Sequence, residues 1–422
     1  MSSSRRRSIL FLAIFALLLC SLASVFAAAR RSNVLAWIED RFAGDRPGGS
    51  SSPCREIEGG RPCVEGAASP YRLPESGAPV LALSGVSFDA IESNVGIITG
   101  MDLAPDGRLF YSVQDGAVFI KRMEGGSVGA AQPSAPFLEN LSVARSGFED
   151  GLLGLALSPD FDRDRQVYLY YSVPNEDGLP VEGRIVRFTE QDGTATDEAV
   201  IVGGLPARPD QLYHFGGGLA FGSDNKLYLV FGETNLPAEA QNPASLEGSI
   251  LRYNRDGSIP DDNPSAGSPV YAYGIRNGFG LAWHPETGAL YASENGESCD
   301  DELNRIVAGG NYGWGVYAYD TCPYPDDGGL PPLLEWTPPI APTALAFYTS
   351  DRIPELSGKL LLCGFMDKLL YAIDLDPATS RVSAVWAVEV GGRRDLCQSA
   401  LALAPDGSIF TAADSGLWRI GP

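Results

Sequence analysis

The sequence predicts an all-β protein folded as a six-bladed β-propeller, and three observations carry that prediction. Glycine and proline, 49 and 31 of 422 residues, fall at short intervals between apolar runs, the punctuation of many short strands joined by turns. From Gly100 onward one pattern returns six times: GMDLAPDGRLFYS, GLALSPDFDRDRQVYLYYS, GLAFGSDNKLYLVFG, GLAWHPETGALYASE, ALAFYTSDRIPELSGKLLLCG and LALAPDGSIFTAAD. Each copy reads as an apolar strand, a turn and a second β-rich strand. The turn positions Pro105, Pro159, Ser223, Pro285, Ser350 and Pro405 lie 54, 64, 62, 65 and 55 residues apart, room for four strands per unit, and a strand-only repeat of that period is a propeller. Unrelated hairpins of a two-sheet sandwich would not repeat so regularly.

Taken in chain order, residues 1–31 read as a signal peptide or membrane anchor. Arg5, Arg6 and Arg7 precede an uncharged, mostly apolar run from Ser8 to Ala29, and Arg30 and Arg31 follow it. The run is just long enough to span a bilayer, while Val25, Ala27 and Ala29 offer small residues for cleavage. Either way the body of the chain is expected outside the cytoplasm, secreted or anchored by its N-terminus. Residues 32–79, rich in Gly, Ser, Pro and charge, read as a flexible linker with too few apolar side chains for a core. Residues 80–422 are the propeller, with a strand near Val80 to Phe88 expected to pair into the last blade and close the ring.

A formal net charge of −22 repels polyanions, which excludes nucleic acid as a partner of the folded part and leaves cations such as calcium in play. Membrane contact is expected only through the N-terminal segment. Setting Cys20 aside, six cysteines fall into sequence-near pairs, so disulfides Cys54–Cys63, Cys299–Cys322 and Cys363–Cys397 are expected, in keeping with an exported chain. Zinc is disfavoured, because no Cys-x-x-Cys spacing exists and the chain has two histidines.

Three constellations could carry chemistry. In LYHFGGGLAFG, His214 stands just before the glycine run that enters the inner part of a blade, where an imidazole could act as a general base. His284, in the turn WHPETG, reads as structural. In YAYGIRNGFGLAW, the Arg276 guanidinium and Asn277 amide could hold a carbonyl or developing oxyanion, or simply cap a strand. In SENGESCDDELNRIVAGGNYGWG, Glu294, Glu297, Asp300, Asp301 and Glu302 crowd into nine residues, a charge density that calcium would relieve and that a solvated loop would also tolerate.

The same segments carry a resemblance. In EDGLLGLALSPDF, HFGGGLAFGSDNKLYLVFG, GIRNGFGLAWHPETGALYASENG, DDELNRIVAGGNYGWG and APTALAFY, the chain from Gly100 to its end is similar to the glucose/sorbosone dehydrogenase family. The resemblance implies a propeller that binds pyrroloquinoline quinone and calcium above its central channel and oxidises an aldose at C1, with a separate electron acceptor. By position it makes His214 the general base and Arg276 a catalytic cation. It places Glu149, Asn277, Thr343 and Arg394 against the cofactor. The backbone carbonyls of Gly296 and Glu297 would hold its calcium, and Glu302 with the Tyr312 carbonyl would hold a second, structural calcium. The chain departs from the family pattern where quinoprotein members carry glutamine at Glu149, an acidic residue at Tyr213, lysine at Met366 and arginine at Gly392. Those departures remove two cations and add a carboxylate where a tricarboxylate would sit, which disfavours its binding unless something compensates. Two other readings of the propeller are a calcium-binding module that takes a glycan or protein at the channel mouth, and a calcium-dependent lactone hydrolase.

Overall fold

The computed structural model describes residues 70–421 apart from 75, 123–133, 148, 212, 317–328, 377, 378 and 380. The expected signal or anchor, most of the linker and the Cys54–Cys63 pair lie outside the described residues, and among those described no helix is long and apolar enough to cross a membrane.

Six sheets, each a four-stranded antiparallel meander at its heart, make the six blades. Blade 1 holds Ile98–Leu103, Arg108–Val113, Ala117–Arg122 and Ala135–Leu138; blade 2 holds Leu152–Leu157, Gln166–Pro174, Pro180–Gln191 and Thr194–Pro206. Blade 3 holds Leu219–Phe221, Leu227–Phe231, Ser249–Tyr253 and Val270–Tyr273, and blade 4 Leu281–Trp283, Leu290–Glu294, Asp301–Ile306 and Leu334–Trp336. Blade 5 holds Pro342–Phe347, Leu360–Gly364, Leu370–Leu375 and Val382–Val390. Blade 6 takes Leu401–Leu403, Ile409–Ala413 and Gly416–Gly421 from the C-terminus and its fourth strand, Ser87–Glu92, from the other end of the chain.

The ring therefore closes as expected, through Ser87–Glu92. Val80–Leu83, which the sequence grouped with the closing strand, instead lies parallel to Val382–Val390 on the outer edge of blade 5, and Tyr71–Arg72 lies parallel to Leu334–Trp336 on blade 4. Both additions cover outer edges that would otherwise present unpaired backbone groups.

Burial explains why these strands are nearly continuous in apolar residues. Six hydrophobic clusters occur, each between two neighbouring blades, so both faces of every sheet are packed. Successive side chains of Leu360, Leu361 and Leu362 point alternately toward blade 4 and blade 6. Close approach of the first strands around the channel demands small residues: a Cβ on Gly280 would lie 2.2 Å from the Thr343 carbonyl oxygen of the next blade.

Asp102 on the innermost strand of blade 1 ties neighbouring blades together. Its two oxygens accept the backbone N–H groups of Leu103 (2.8 Å) and, across the gap in blade 2, Leu157 (2.9 Å). Loss of hydration outweighs those bonds and pushes its carboxyl from 3.8 up to about 6. The folded state thus holds this proton more tightly than the unfolded chain, a contribution present below the ordinary value and lost as pH rises through about 6. Asp102→Asn is expected to flatten the fall in melting temperature between about pH 4 and 7. Parallel calorimetric profiles for the two proteins would show that Asp102 is not its source.

Candidate functional site

The loops that join one blade to the next and the turns between second and third strands meet at one mouth of the channel. Just inside it lies a cavity of about 110 Å³, walled by Thr99, Gln114, Glu149, Asn295, Thr343 and Phe365 among others. Phe279 lines both this cavity and a larger one of about 580 Å³ further along the inner strands, so its ring stands between the two.

His214 is held from three sides, one of them Glu149 of the cavity wall. Its Nδ1 lies 2.6 Å from Glu233 Oε1, and Glu233 is 0 % exposed. The other Glu233 oxygen accepts the Leu236 N–H at 2.9 Å, so the carboxylate is fixed. The His214 N–H donates to Glu149 Oε2 at 2.7 Å, and its carbonyl accepts the Thr234 N–H. These contacts keep His214 in a left-handed backbone conformation, φ 63°, unusual for a residue with a side chain. With Nδ1–H directed at Glu233, Nε2 carries the lone pair and has no hydrogen-bond partner among the described residues.

Asn277 bridges blades. Its Oδ1 accepts the Gly216 N–H (3.0 Å) and its Nδ2 donates to Glu149 Oε2 (2.9 Å). Arg276 comes in from the same turn, with its N–H on Glu294 Oε1 and its guanidinium donating to the Asn295 carbonyl and to Glu297 Oε2, over the Trp314 ring at 5.2 Å. Gly296, anchored by its N–H on Asp301 Oδ1, turns the chain here. Asp301 also accepts Ile340 N and Ala341 N at 2.6 and 2.7 Å, yet desolvation pushes its carboxyl up to about 6.

Below the mouth, blade 4 carries an unusual row. Glu294, Glu302 and Glu335 lie directly opposite one another on three adjacent strands. Loss of hydration, with Glu294, Glu335 and Asp300 nearby, pushes Glu302 well above the usual carboxylate range. Asn304 Nδ2 donates to both Glu294 and Glu302, and Arg72 from the added edge strand pairs with Glu335 at 2.6 Å. Among the described residues no group of three or more His, Cys, Asp or Glu side chains converges in a metal-holding geometry.

The structure thus gathers His214, Glu149, Asn277, Arg276, Gly296 and Glu297 at one mouth. Thr343 lines the cavity, but its hydroxyl bridges the Cys363 and Gln398 carbonyls at 3.1 and 2.9 Å. Arg394 is not drawn in: it is exposed, its carbonyl accepts the Leu396 N–H at 2.9 Å, its guanidinium forms no hydrogen bond or ion pair among the described residues, and its charge bears on Asp367 and Tyr371. Glu302 and Tyr312 belong to the deeper blade 4 cluster, the Tyr312 hydroxyl donating to the Arg305 carbonyl at 2.7 Å. His284 is structural, its Nδ1 accepting Glu286 N and Thr287 N. Cys363–Cys397 forms as expected; Cys299 is disulfide-bonded, and Cys322 lies outside the described residues. Sequence reasoning missed Glu233, whose one signal is a carboxylate closing the apolar strand LYLVFGE.

Two buried side-chain atoms here lack partners among the described residues: Arg276 Nε and Asn295 Oδ1. A buried donor and a buried acceptor on neighbouring side chains fit a planar, polar, anionic group, and backbone carbonyls of the adjoining Gly296 turn are of the type that a hard cation takes.

Comparison with known proteins bears on the same residues. Residues 97–419 match the family model described as Glucose / Sorbosone dehydrogenase. An uncharacterised protein of Synechocystis sp. is 31% identical over 75% of this chain and 81% of its own length. The aldose sugar dehydrogenase YliI of Escherichia coli is 32% identical over 54% of this chain and 68% of its own. Among solved structures, the PQQ-bound form of aldose sugar dehydrogenase from Streptomyces coelicolor superposes with a TM-score of 0.65 at 28% identity, covering 80% of this chain and 98% of that one.

Because both bonds from His214 and Asn277 go to one oxygen of Glu149, a glutamine carbonyl could accept them equally. Glu149→Gln is expected to leave the melting temperature nearly unchanged, whereas Glu149→Ala strands two donors and costs about 1–3 kcal/mol by chemical denaturation. Equal losses in the two variants would contradict this account of the bridge.

Proposed function

The chain belongs to the glucose/sorbosone dehydrogenase family and is an oxidoreductase of the quinone-dependent sugar dehydrogenase type, and from that premise we propose that it oxidises an aldose at C1 outside the cytoplasm. The observation that carries this reading is the His214–Glu233 pair: an imidazole with one nitrogen fixed by a buried carboxylate, the other without a partner among the described residues, on a residue bonded to Glu149 of the cavity wall.

Pyrroloquinoline quinone, when bound, supplies a two-electron acceptor for hydride. The rest of the chemistry belongs to the chain. His214 Nε2 takes the proton of the sugar's anomeric hydroxyl, and Glu233 keeps the ring in the required tautomer and balances the charge that forms. Arg276 and Asn295 would hold polar edges of the cofactor through the groups now without partners, and the Gly296 and Glu297 carbonyls would hold calcium. Asn277 and Glu149 keep base and cofactor-facing turn in register by bonding to both. The disulfide Cys363–Cys397 supports the extracytoplasmic placement.

Dye reduction by the full chain with the quinone, calcium and a panel of aldoses tests the reading. Turnover should require both additions and vanish in His214→Ala. In Glu233→Gln, kcat should fall roughly a hundredfold or more, with a melting temperature close to that of the unaltered protein. No turnover, together with no quinone-dependent change in absorbance or melting, would favour a binding module over an enzyme.

A further inference from the structure

Beside the central cavity lies a second pocket of about 370 Å³ between blades 5, 6 and 1, and the two share Ile97, Phe365 and Ser399 as walls. Its polar lining is Lys368, Gln398, Asp414 and the serines Ser399 and Ser415. The sequence showed a cation missing at Met366, and the structure agrees that this side chain turns outward, 67% exposed. Lys368, two residues on in the same turn, lines the pocket instead.

Three cations stand on this side of the mouth, and their surroundings separate them. Arg393 is committed to the protein: its guanidinium packs over the Phe88 and Trp418 rings at 4.9 and 4.6 Å and is paired with both oxygens of Asp395. Arg394 is exposed and lines neither cavity. Lys368 combines access with a fixed base. Its backbone has φ 61°, its N–H donates to the Gly364 carbonyl, and its own carbonyl accepts Leu396 N and Cys397 N, the latter anchored by the disulfide to Cys363.

The ammonium group now pairs with Asp414. That carboxylate has a second cation within reach, Arg393 Nη2 at 3.8 Å, so it is not left alone if Lys368 turns away. Gln398 adds a donor. Its Oε1 accepts the Asp414 N–H at 3.3 Å, while its Nε2 has no partner among the described residues.

We propose that Lys368 and the Gln398 amide form the carboxylate-binding end of the quinone site. This rests on the quinone reading above and deepens it. A planar tricarboxylate lying across the Phe365 wall would meet Arg276 and Asn295 at one end. At the other, an ammonium group and an amide donor would receive a carboxylate, and Asp414 would turn to Arg393. The pocket thereby restores one of the cations that the departure at Met366 removes.

The test is quinone affinity, read by absorbance and fluorescence titration of the full chain with calcium, without substrate. Lys368→Met should weaken binding by about tenfold and lower its salt sensitivity, and Lys368→Arg should restore most of it. Asp414→Asn, which frees Lys368, should tighten binding by a few-fold. A purely structural ion pair would make Lys368→Met and Asp414→Asn weaken it alike, so that result overturns the proposal even if Lys368→Met also lowers the melting temperature. Equal affinity in the unaltered chain and Lys368→Met overturns it while leaving the quinone reading intact. No quinone binding by the unaltered chain removes that reading and the proposal with it.

Discussion

Everything at the channel mouth depends on one packing constraint: each blade buries both of its faces against its neighbours. The core is six layers between blades, not one interior, so no sheet retains a solvent face that could relax independently. Closing such a stack into a ring brings the innermost strands together until only glycine or a small residue fits, as at Gly280 against Thr343. The connecting loops are then delivered to one end in fixed order, and residues 128 positions apart, Glu149 and Asn277, meet through a single hydrogen bond. Ring closure by Ser87–Glu92 completes this constraint, because an unclosed ring would leave blades 6 and 1 without their shared layer of Leu109, Tyr111 and Phe410.

Rigidity at the mouth has an electrostatic consequence. Carboxylates are numerous there, and the fold handles them in two distinct ways. Glu233 and Glu149 each accept two N–H donors and so serve as fixed acceptors that orient His214 and Asn277. Glu294, Glu302 and Glu335, by contrast, face each other across adjacent strands, the first two sharing the Asn304 donor and Glu294 also taking the Arg276 N–H, and poor hydration holds Glu302 toward its protonated form. Positive charge supplied to that row, as Arg72 supplies it at Glu335, relieves the same repulsion that protonation relieves. The N-terminal edge strand therefore contributes charge as well as covering backbone.

The propeller was legible because its evidence is local and repeated. Each hairpin carries its own turn, and the spacing of Pro105, Pro159, Ser223, Pro285, Ser350 and Pro405 counts the blades without reference to long-range contacts. The register of the closing strand was less legible, since Val80–Leu83 and Ser87–Glu92 are both short and β-rich, and only pairing through space distinguishes an outer edge of blade 5 from the last position of blade 6. His214, Arg276 and Asn277 could be found because they flank glycine runs entering inner strands. Glu233 could not, because a carboxylate at a strand end reads like any turn residue until the fold sets it 2.6 Å from an imidazole.

That difference shows where a single departure from the family pattern misleads. Counting charges along the sequence treats Met366 as a lost cation, but the mouth recognises charge by where a side chain emerges, and the turn after Gly364 emerges over two pockets at once. Lys368 reaches the pocket wall from a backbone clamped by Leu396 and Cys397, whereas Arg394 is exposed and lines neither pocket, and its neighbour Arg393 packs on Phe88 and Trp418. The two neighbouring arginines thus divide between anchoring the loop and facing solvent. A guanidinium locked between aromatic rings gains packing and gives up its freedom to bind a ligand. Charge at this site is therefore set by the geometry of the blade 5 turn and its disulfide-anchored neighbour, and residue identity at any single aligned position is a poor guide to it.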